Sequence, residues 1–394
     1  MSALVTTAAV LAGIVLGVGA TAVFERGPVG EDEFHLWRWE ADTLAGNAFA
    51  RLGIGAAPGE QEGELALRRY FALTSQIRSA LAAPAPDLAL VETLTSERAA
   101  YENDVERLTE RYIGEAVSAA GLQEKLPLFG EVAVTWPPVD FELTSPPRLL
   151  VRSPRDRIER TGDTLLKNDL SLRDIEGIER RADGDETVSL VVALGGLAAY
   201  PAIVRDDRSY DSLLETAAHE WVHHYLAFYP LGRRWGTGGD AETLNETTAD
   251  LAGREIANLI RRAHPVALPE DGDGRAPEAV PPTVDFNSEM RRLRLEVDAL
   301  LVAGKVDEAE RIMEERRQFL AANGINIRKL NQAYFAFYGT YAAGAASSNP
   351  IGPQIDRVWE LTRDVGTFLR LMREVTTPLE LRGLLGKLET AAGN

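Results

Sequence analysis

The sequence contains no cysteine among its 394 residues. This absence excludes disulfide bonds, cysteine nucleophiles and thiolate metal ligands. It does not decide the compartment, because a chain of this length with 45% hydrophobic residues can bury a large core and needs no disulfides outside the cell. The length and composition predict a globular protein of two or three domains.

Basic side chains are scarce as well. The sequence has 42 lysines and arginines against 60 aspartates and glutamates, which gives a formal net charge of −18. Proteins that bind nucleic acids carry a basic surface that neutralises phosphates. The charge balance therefore argues against nucleic acid as a partner, and an acidic surface on its own favours solubility.

Histidine is rare too, and its distribution is informative. Only five histidines occur, and three of them fall within residues 219–224. His219, Glu220 and His223 form an HExxH pattern on a predicted helix, where residues four apart share one face. Two imidazoles at that spacing can bind one Zn²⁺ ion while Glu220 stands beside it as a general base. We interpret the adjoining His224 as a polar neighbour of the cleft.

A catalytic zinc site needs a third protein ligand and keeps a fourth position open for water or substrate. Glu246 lies 23 residues beyond His223, at the start of a second helical pattern. A loop that reverses the chain would bring this helix alongside the first. Asp250 follows Glu246 by one helical turn, so its carboxylate is placed to accept a hydrogen bond from the free ring nitrogen of a ligand histidine.

The segment 210–255 resembles the gluzincin metallopeptidases, in which HExxH supplies two histidines and a base, and a later helix supplies a glutamate with an aspartate one turn beyond it. The resemblance implies that a Zn²⁺ ion is the cofactor and that a peptide or protein is the substrate. It also implies that His219, His223 and Glu246 are the zinc ligands and that Glu220 is the general base. Asp250 would then be the hydrogen-bond partner of a ligand histidine.

A weaker resemblance, to bacterial predicted aminopeptidases, rests on the motif helix and on residues 330–333. Further along, Tyr334, Tyr338 and Tyr341 recur at helical spacing. Such a stripe is more often part of the core than of an active site. Gluzincins commonly stabilise the oxyanion with a phenol from a later helix, so Tyr338 and Tyr341 are also candidate catalytic residues.

Residues 3–24 form an apolar run without a charge, long enough to cross a bilayer as one helix. A cleaved signal peptide is the alternative, because residues 20–22 resemble a small-residue cleavage site. No basic residue precedes the run, which favours an uncleaved anchor. We therefore predict a single-pass membrane protein whose catalytic domain lies outside the cytoplasm.

The periodicity of apolar residues predicts a mainly helical chain with a small sheet. Helices are expected over 64–81, 88–121, 212–228, 290–301, 306–320, 327–343 and 349–385, and strands within 132–155 and 187–204. The predicted fold class is α+β and predominantly helical, with a zincin-like catalytic domain and an N-terminal transmembrane helix. The predicted divisions are an anchor or signal segment 1–26, a helical region 27–131, a zincin-like core 132–263, an acidic Pro/Gly-rich linker 264–285, and a helical C-terminal region 286–394.

The apolar segment 187–204 directly precedes the motif helix. In zincins generally, an edge strand lies above that helix and pairs with an extended substrate, so the resemblance implies such a role in this region. A central buried strand is the alternative interpretation. Strand addition would supply backbone hydrogen bonds that bind an extended peptide independently of its sequence.

These observations together predict a membrane-anchored, zinc-dependent hydrolase, specifically a peptidase with Glu220 as the base. The alternative is a non-catalytic anchored scaffold whose metal site ties two helices together. A fourth protein ligand would favour the scaffold, because it would close the position that a catalytic zinc keeps open.

Overall fold

Thirteen α-helices and eight short strands build the described part of this chain. The computed structural model describes residues 30–51, 59–125, 132–236, 238–268, 284–341, 346–347 and 349–393. The helices are α1 Leu36–Arg51, α2 Glu60–Ala82, α3 Leu88–Ala99, α4 Glu102–Ala119, α5 Leu172–Ala182, α6 Tyr210–Leu226, α7 Gly239–Ala263, α8 Phe286–Val302, α9 Val306–Ala322, α10 Gln332–Tyr338, α11 Ile351–Thr362, α12 Val365–Met372 and α13 Pro378–Ala392. The strands are β1 Glu124–Lys125, β2 Ala133–Val134, β3 Phe141–Leu143, β4 Arg148–Pro154, β5 Gly162–Leu166, β6 Thr187–Ala193, β7 Gly196–Leu197 and β8 Ala202–Val204.

The predicted fold class and membrane location need correction. The described chain is a mixed, mainly helical fold with small sheets, and none of its described helices is long and apolar enough to cross a membrane. The two longest, α2 and α7, are amphipathic helices that carry charged residues along their length, so neither is apolar on all sides as a membrane-spanning helix has to be. The predicted anchor at 3–24 lies outside the described residues. The described helices therefore contradict the predicted fold class with a transmembrane helix and the predicted single-pass membrane location.

Two three-stranded sheets precede the motif helix, and they confirm the strands expected within 132–155 and 187–204. In one sheet β4 is central and pairs antiparallel with β5 and β6, so that Leu150 lies opposite both Thr164 and Val191. In the other, β8 is central, with β3 parallel on one side and β7 antiparallel on the other. The short strand β7 is thus an edge strand, and it leads through β8 to the start of α6.

The opposite edge of that second sheet is closed by side chains. Glu106 and Glu110 lie one turn apart on α4, and their Oε1 atoms accept the outward-facing backbone N–H groups of Leu143, at 2.7 Å, and Phe141, at 3.1 Å. Two carboxylates therefore take the place of a neighbouring strand along β3. This arrangement also ties the N-terminal helices to the sheet beside the motif helix.

One large apolar core joins helices from the N-terminal, central and C-terminal parts of the described chain. It contains side chains of α2, α4, α6, α7, α11 and α12, including the fully buried Leu67, Leu108, Leu214 and Phe368. This core crosses the boundaries predicted near residues 131 and 263. Most of the linker predicted at 264–285 lies outside the described residues.

The C-terminal helices differ from expectation in one important place. The predicted hairpin of α8 and α9 is confirmed, with Gly304 at a φ of 71° in the turn. The helix predicted over 327–343 is much shorter, however. It begins after Asn331, whose side chain accepts the Tyr334 N–H at 3.1 Å, and it ends at Tyr338 with Gly339 as the C-cap.

Candidate metal centre

The HExxH residues lie on α6, a helix that is buried almost all round. The hydroxyl of Ser209 caps its N-terminus by accepting the N–H of Ser212 at 3.3 Å. Apolar side chains then bury every face except the one that carries the two histidines. These buried side chains are Leu213, Leu214, Ala217, Ala218, Trp221, Val222, Tyr225 and Leu226.

His219 and His223 meet on the remaining face of α6. Their Nε2 atoms are 3.0 Å apart, and the ring planes cross at 78°. This is the geometry that the four-residue spacing predicts, because one helical turn places the second ring above the first. Both nitrogens point toward the same small volume.

Helix α7 brings Glu246 to that volume. Gly253 allows the two helices to approach closely, since a methyl group at this position would lie only 2.8 Å from the backbone nitrogen of His219. The Oε2 atom of Glu246 lies 3.6 Å from Nε2 of His219 and 3.5 Å from Nε2 of His223. One ligand atom from each of the three residues falls within 4.8 Å of the others. The three predicted ligands are thus neighbours.

The second nitrogen of His223 is held by a residue that the sequence analysis missed. Its Nδ1 atom lies 2.8 Å from the Oδ1 atom of the buried Asn245. An amide oxygen only accepts, so Nδ1 carries a proton, and Nε2, which faces the ligand cluster, is the ring nitrogen through which an ion would bind. The signal was available in the sequence: Asn245 directly precedes Glu246 on the same helix.

Asp250 takes a different position from the one predicted. Its carboxylate lies 3.8 Å from Nη1 of Arg254, one turn further along α7, and the side chain is 45% exposed. The structure therefore pairs Asp250 with an arginine at the surface, and the hydrogen bond to a ligand histidine comes from Asn245.

The donor set suits a zinc ion. Two imidazole nitrogens and one carboxylate oxygen are the ligands found in one common class of catalytic zinc site. Burial by itself raises the pKa of Glu246, but the neighbouring histidines hold that pKa well below its usual range. Burial lowers the pKa of His223, whereas the Glu246 carboxylate raises it, to about 9. The cluster thus holds an ionised carboxylate in a buried place where a divalent cation would be strongly attracted.

Glu220 lies beside the ligands and is only 6% exposed. Burial raises its pKa above the ordinary value, and the histidines on either side lower it. Gly196 of β7 makes room for this side chain, because a methyl group at residue 196 would overlap its Oε1 atom. The edge strand and the motif helix therefore meet directly at the Glu220 carboxylate.

A cavity of about 70 Å³ opens above the ligands. Tyr341 lines it, and the Glu246 carboxylate, followed by burial, raises the pKa of its phenol well above the usual value, so the hydroxyl keeps its proton. Tyr338 lies elsewhere: it is 37% exposed, and its ring packs against Tyr334 with centroids 4.5 Å apart and the planes inclined by 43°. Of the two tyrosine candidates, only Tyr341 shares a cavity with the metal ligands.

Arg160 also lines this cavity, and no motif in the sequence pointed to it. Its guanidinium is held between two carboxylates, with Nη2 2.5 Å from Oδ2 of Asp163 and Nη1 bonded to Glu242. Glu242 lies one turn before Glu246 on α7. The wall of the cavity therefore carries a fixed positive charge next to the ligand carboxylate.

His224 and His264 have structural roles. The Nε2–H group of His224 donates to the carbonyl of Ala199 at 2.7 Å, and burial lowers the pKa of this ring to about 4, so it stays neutral. His264 stacks on Tyr112 with centroids 3.8 Å apart and lies 2.9 Å from Oε2 of Glu115. Neither ring faces the ligand cluster.

Comparison of the chain with protein-family models, with curated proteins and with solved structures finds no match.

Proposed function

We propose that this protein is a zinc-dependent hydrolase, specifically a peptidase of the gluzincin type. The observation that carries the proposal is the convergence of His219, His223 and Glu246 next to the buried carboxylate of Glu220. A site that only stabilised the fold would not need a carboxylate beside the ligands. A general base in a hydrolase has to stand there.

When bound, a zinc ion would supply Lewis acidity toward a carbonyl oxygen and would make a water molecule easier to deprotonate. Residues of the chain would carry out the proton transfers and stabilise the developing charge. Glu220 would take the proton of the attacking water and later deliver it to the leaving amine. Burial favours this second role, because a raised pKa helps a carboxyl group to hold the proton between the two steps.

Tyr341 supplies a neutral hydrogen-bond donor in the same cavity. A protonated phenol can donate to the oxygen on which negative charge develops during attack on a carbonyl. The guanidinium of Arg160, which is paired with Asp163 and Glu242, lies in the wall of the same cavity. Both groups are in place before substrate binds, so little reorganisation is needed during the reaction.

A peptide fits this site better than other hydrolase substrates because of β7. This strand is bonded to β8 on one side, and Gly196, Leu197 and Ala198 line the cavity on the other. An extended peptide could add to this edge through backbone hydrogen bonds. Its carbonyl groups would then pass beside Glu220, the residue against which Gly196 packs.

The alternative of a non-catalytic scaffold predicts a closed set of four protein ligands. Within the described residues, the group able to hold an ion consists of the three donors named above. Three donors leave one position of a tetrahedral site for water or substrate, which favours the enzyme.

The test is the substitution Glu220→Gln. We expect this variant to keep about one equivalent of zinc, because its ligands are intact. Hydrolysis of a library of short synthetic peptides, followed by mass spectrometry, should fall roughly 10²- to 10⁴-fold, because an amide cannot take the proton. Glu215→Gln is the matched control, since Glu215 lies on the same helix but forms a surface ion pair with Arg261.

Two results would contradict the proposal. Peptide hydrolysis that survives Glu220→Gln would show that Glu220 is not the base. A wild-type protein that binds zinc tightly but cleaves no peptide of the library would favour the scaffold. The variant His223→Ala checks the site itself, because it should lose the zinc that the wild type retains.

A further inference from the structure

The two carboxylate oxygens of Glu246 have different partners. Oε2 is the atom that faces Nε2 of both histidines, at 3.6 and 3.5 Å. Oε1 is turned the other way and accepts a hydrogen bond from the indole nitrogen of Trp235 at 3.3 Å. The carboxylate is therefore oriented by a side chain that is not itself a possible metal ligand.

We propose that Trp235 is a positioning residue that limits Glu246 to one metal–oxygen bond. The inference rests on the metal site of the proposed function. The indole N–H group holds Oε1 turned away from the histidines, so that Oε2 is the oxygen placed to bind an ion. Carboxylates readily bind metals through one oxygen or both, so a donor on one oxygen decides between the two modes.

An indole is well suited to this role. Its N–H group donates but does not accept, and it does not titrate, so the donor is the same at every pH. The ring also lies beside the second ligand, with its centroid 5.9 Å from that of His223 and the planes inclined by 36°. Trp235 thus contacts the side of the ligand cluster that faces the loop between α6 and α7.

The backbone around Trp235 is held in place by bonds to fixed elements. Its own N–H donates to the carbonyl of Gly232 at 3.0 Å, and the N–H of Leu231 donates to the carbonyl of Arg373 at 3.0 Å. Gly232 packs against the end of α6, where a methyl group would overlap the carbonyl of Leu226. The indole is therefore presented by an anchored turn.

The consequence concerns the open coordination position. Two histidine nitrogens and one carboxylate oxygen leave room for a fourth ligand on a tetrahedral ion. If Glu246 bound through both oxygens, its second oxygen would occupy that space. The hydrogen bond from Trp235 therefore keeps the site accessible to water and substrate.

The experiment compares Co²⁺-loaded wild type with Trp235→Phe, which removes the N–H group and keeps an aromatic ring. Cobalt in a four-coordinate site absorbs visible light much more strongly than cobalt with more ligands, so the spectrum reports coordination geometry. We expect the variant to lose the strong absorption as Oε1 joins the metal. We also expect its zinc affinity to change, falling by roughly 10-fold or more, as is typical when a partner of a ligand is removed.

Trp221→Phe is the matched control. The indole of Trp221 also donates to an oxygen, the carbonyl of Pro137 at 3.0 Å, but it lies in the apolar surround of α6. This variant should lower the melting temperature and leave the cobalt spectrum unchanged. A melting curve of Trp235→Phe establishes that it is folded before its spectrum is compared.

The outcomes separate the two proposals. A wild-type protein that binds neither Co²⁺ nor Zn²⁺ would overturn the metal site and the proposed function with it. Identical cobalt spectra and equal zinc affinities for wild type and Trp235→Phe would overturn the role of Trp235 alone. A changed spectrum in Trp235→Phe but not in Trp221→Phe supports the positioning role.

Discussion

The ring of His223 and the amide of Asn245 join the two helices of the site, with Nδ1 of the histidine 2.8 Å from Oδ1 of the asparagine. This hydrogen bond links a residue of α6 to a residue of α7, next to the ligand that α7 supplies. Asn245, on the helix that carries the ligand Glu246, therefore orients the ligand His223 of the other helix. The site can keep its shape only while these two helices stay packed.

The first prediction concerns this bond. Asn245→Ala should weaken zinc binding roughly 10- to 100-fold, because the His223 ring loses the partner that sets its orientation and tautomer. Zinc titration under fixed pH and buffer measures the change. Asp250→Ala is the comparison, since Asp250 is paired with Arg254 at the surface. A larger loss of affinity in Asp250→Ala than in Asn245→Ala would restore the original assignment of Asp250.

A second prediction concerns the space beside the base. Gly196→Ala should lower peptide hydrolysis at least roughly 10-fold, because the new methyl group would displace the Glu220 carboxylate. The ligands are untouched, so zinc content should stay the same. Gly195→Ala is the control, since a methyl group there meets nothing within 4 Å. Equal activities of the two variants would show that the packing of Gly196 on Glu220 has no catalytic consequence.

The two tyrosine candidates give a third prediction. Tyr341→Phe should lower kcat roughly 10²- to 10³-fold with little change in KM, because the phenol would donate mainly to charge that develops in the transition state. Tyr338→Phe should have no effect on either constant, since Tyr338 packs against Tyr334 outside the cavity. Steady-state kinetics of both variants decide the matter, and a Tyr341→Phe enzyme with full kcat would remove the phenol from the mechanism.

The close approach of α6 and α7 gives a fourth prediction. Gly253→Ala should destabilise the protein by about 1 to 3 kcal/mol, because its methyl group would press on the backbone of His219. The same change at Gly114 on α4 meets nothing within 4 Å and should stabilise by about 0.5 to 1 kcal/mol. Urea unfolding gives both free energies. If both variants were stabilised, α6 and α7 would have space for a methyl group at Gly253, and the prediction would be wrong.

The fifth prediction is a pH dependence that comes from Glu40. Burial raises the pKa of this carboxyl from 4.5 to about 7, although the backbone N–H of Tyr200, which it accepts at 3.2 Å, lowers it. The unfolded state therefore loses the proton first, and this group makes the free energy of unfolding fall as pH rises from about 4.5 to about 7.

Glu40→Gln keeps an acceptor for Tyr200 and removes the ionisation. Below about pH 4.5 the variant and the wild type should have similar stability, whereas above about pH 7 the variant should be more stable. The gain is on the order of 3 kcal/mol, at ~1.4 kcal/mol for each pKa unit. Thermal or urea unfolding at pH 4 and pH 8 measures it, and a difference that does not vary with pH would contradict the buried, ionisable state of Glu40.

The parts of the site that could be predicted are those set by helix geometry. The spacing of His219 and His223 places both on one face whatever the rest of the chain does, and Glu246 needed only one reversal of the chain to reach them. The partner of the histidine was harder to predict. Both Asn245 and Asp250 lie close to Glu246 on α7, and only the folded chain shows that Asn245 contacts His223 while Asp250 pairs with Arg254.

Residues outside regular helices could not be predicted. Tyr341 was placed on a helical stripe with Tyr338, yet α10 ends at Tyr338, so the two side chains go to different surroundings. Trp235 and Arg160 reach the site from a turn and from a segment just before β5. No periodic spacing connects such positions to the ligands, and only the folded chain brings them together.

The closed edge of β3 has a consequence for self-association. An exposed strand edge can pair with a strand of another chain, and such pairing leads to aggregation. Glu106 and Glu110 already accept the outward N–H groups of β3, so an incoming strand would have to displace two carboxylates before it could bond there. The other edge of the same sheet, at β7, is the one that borders the ligand cavity. The β3 edge is thus blocked against pairing with another chain, and the β7 edge is the one at which the proposed peptide substrate would add.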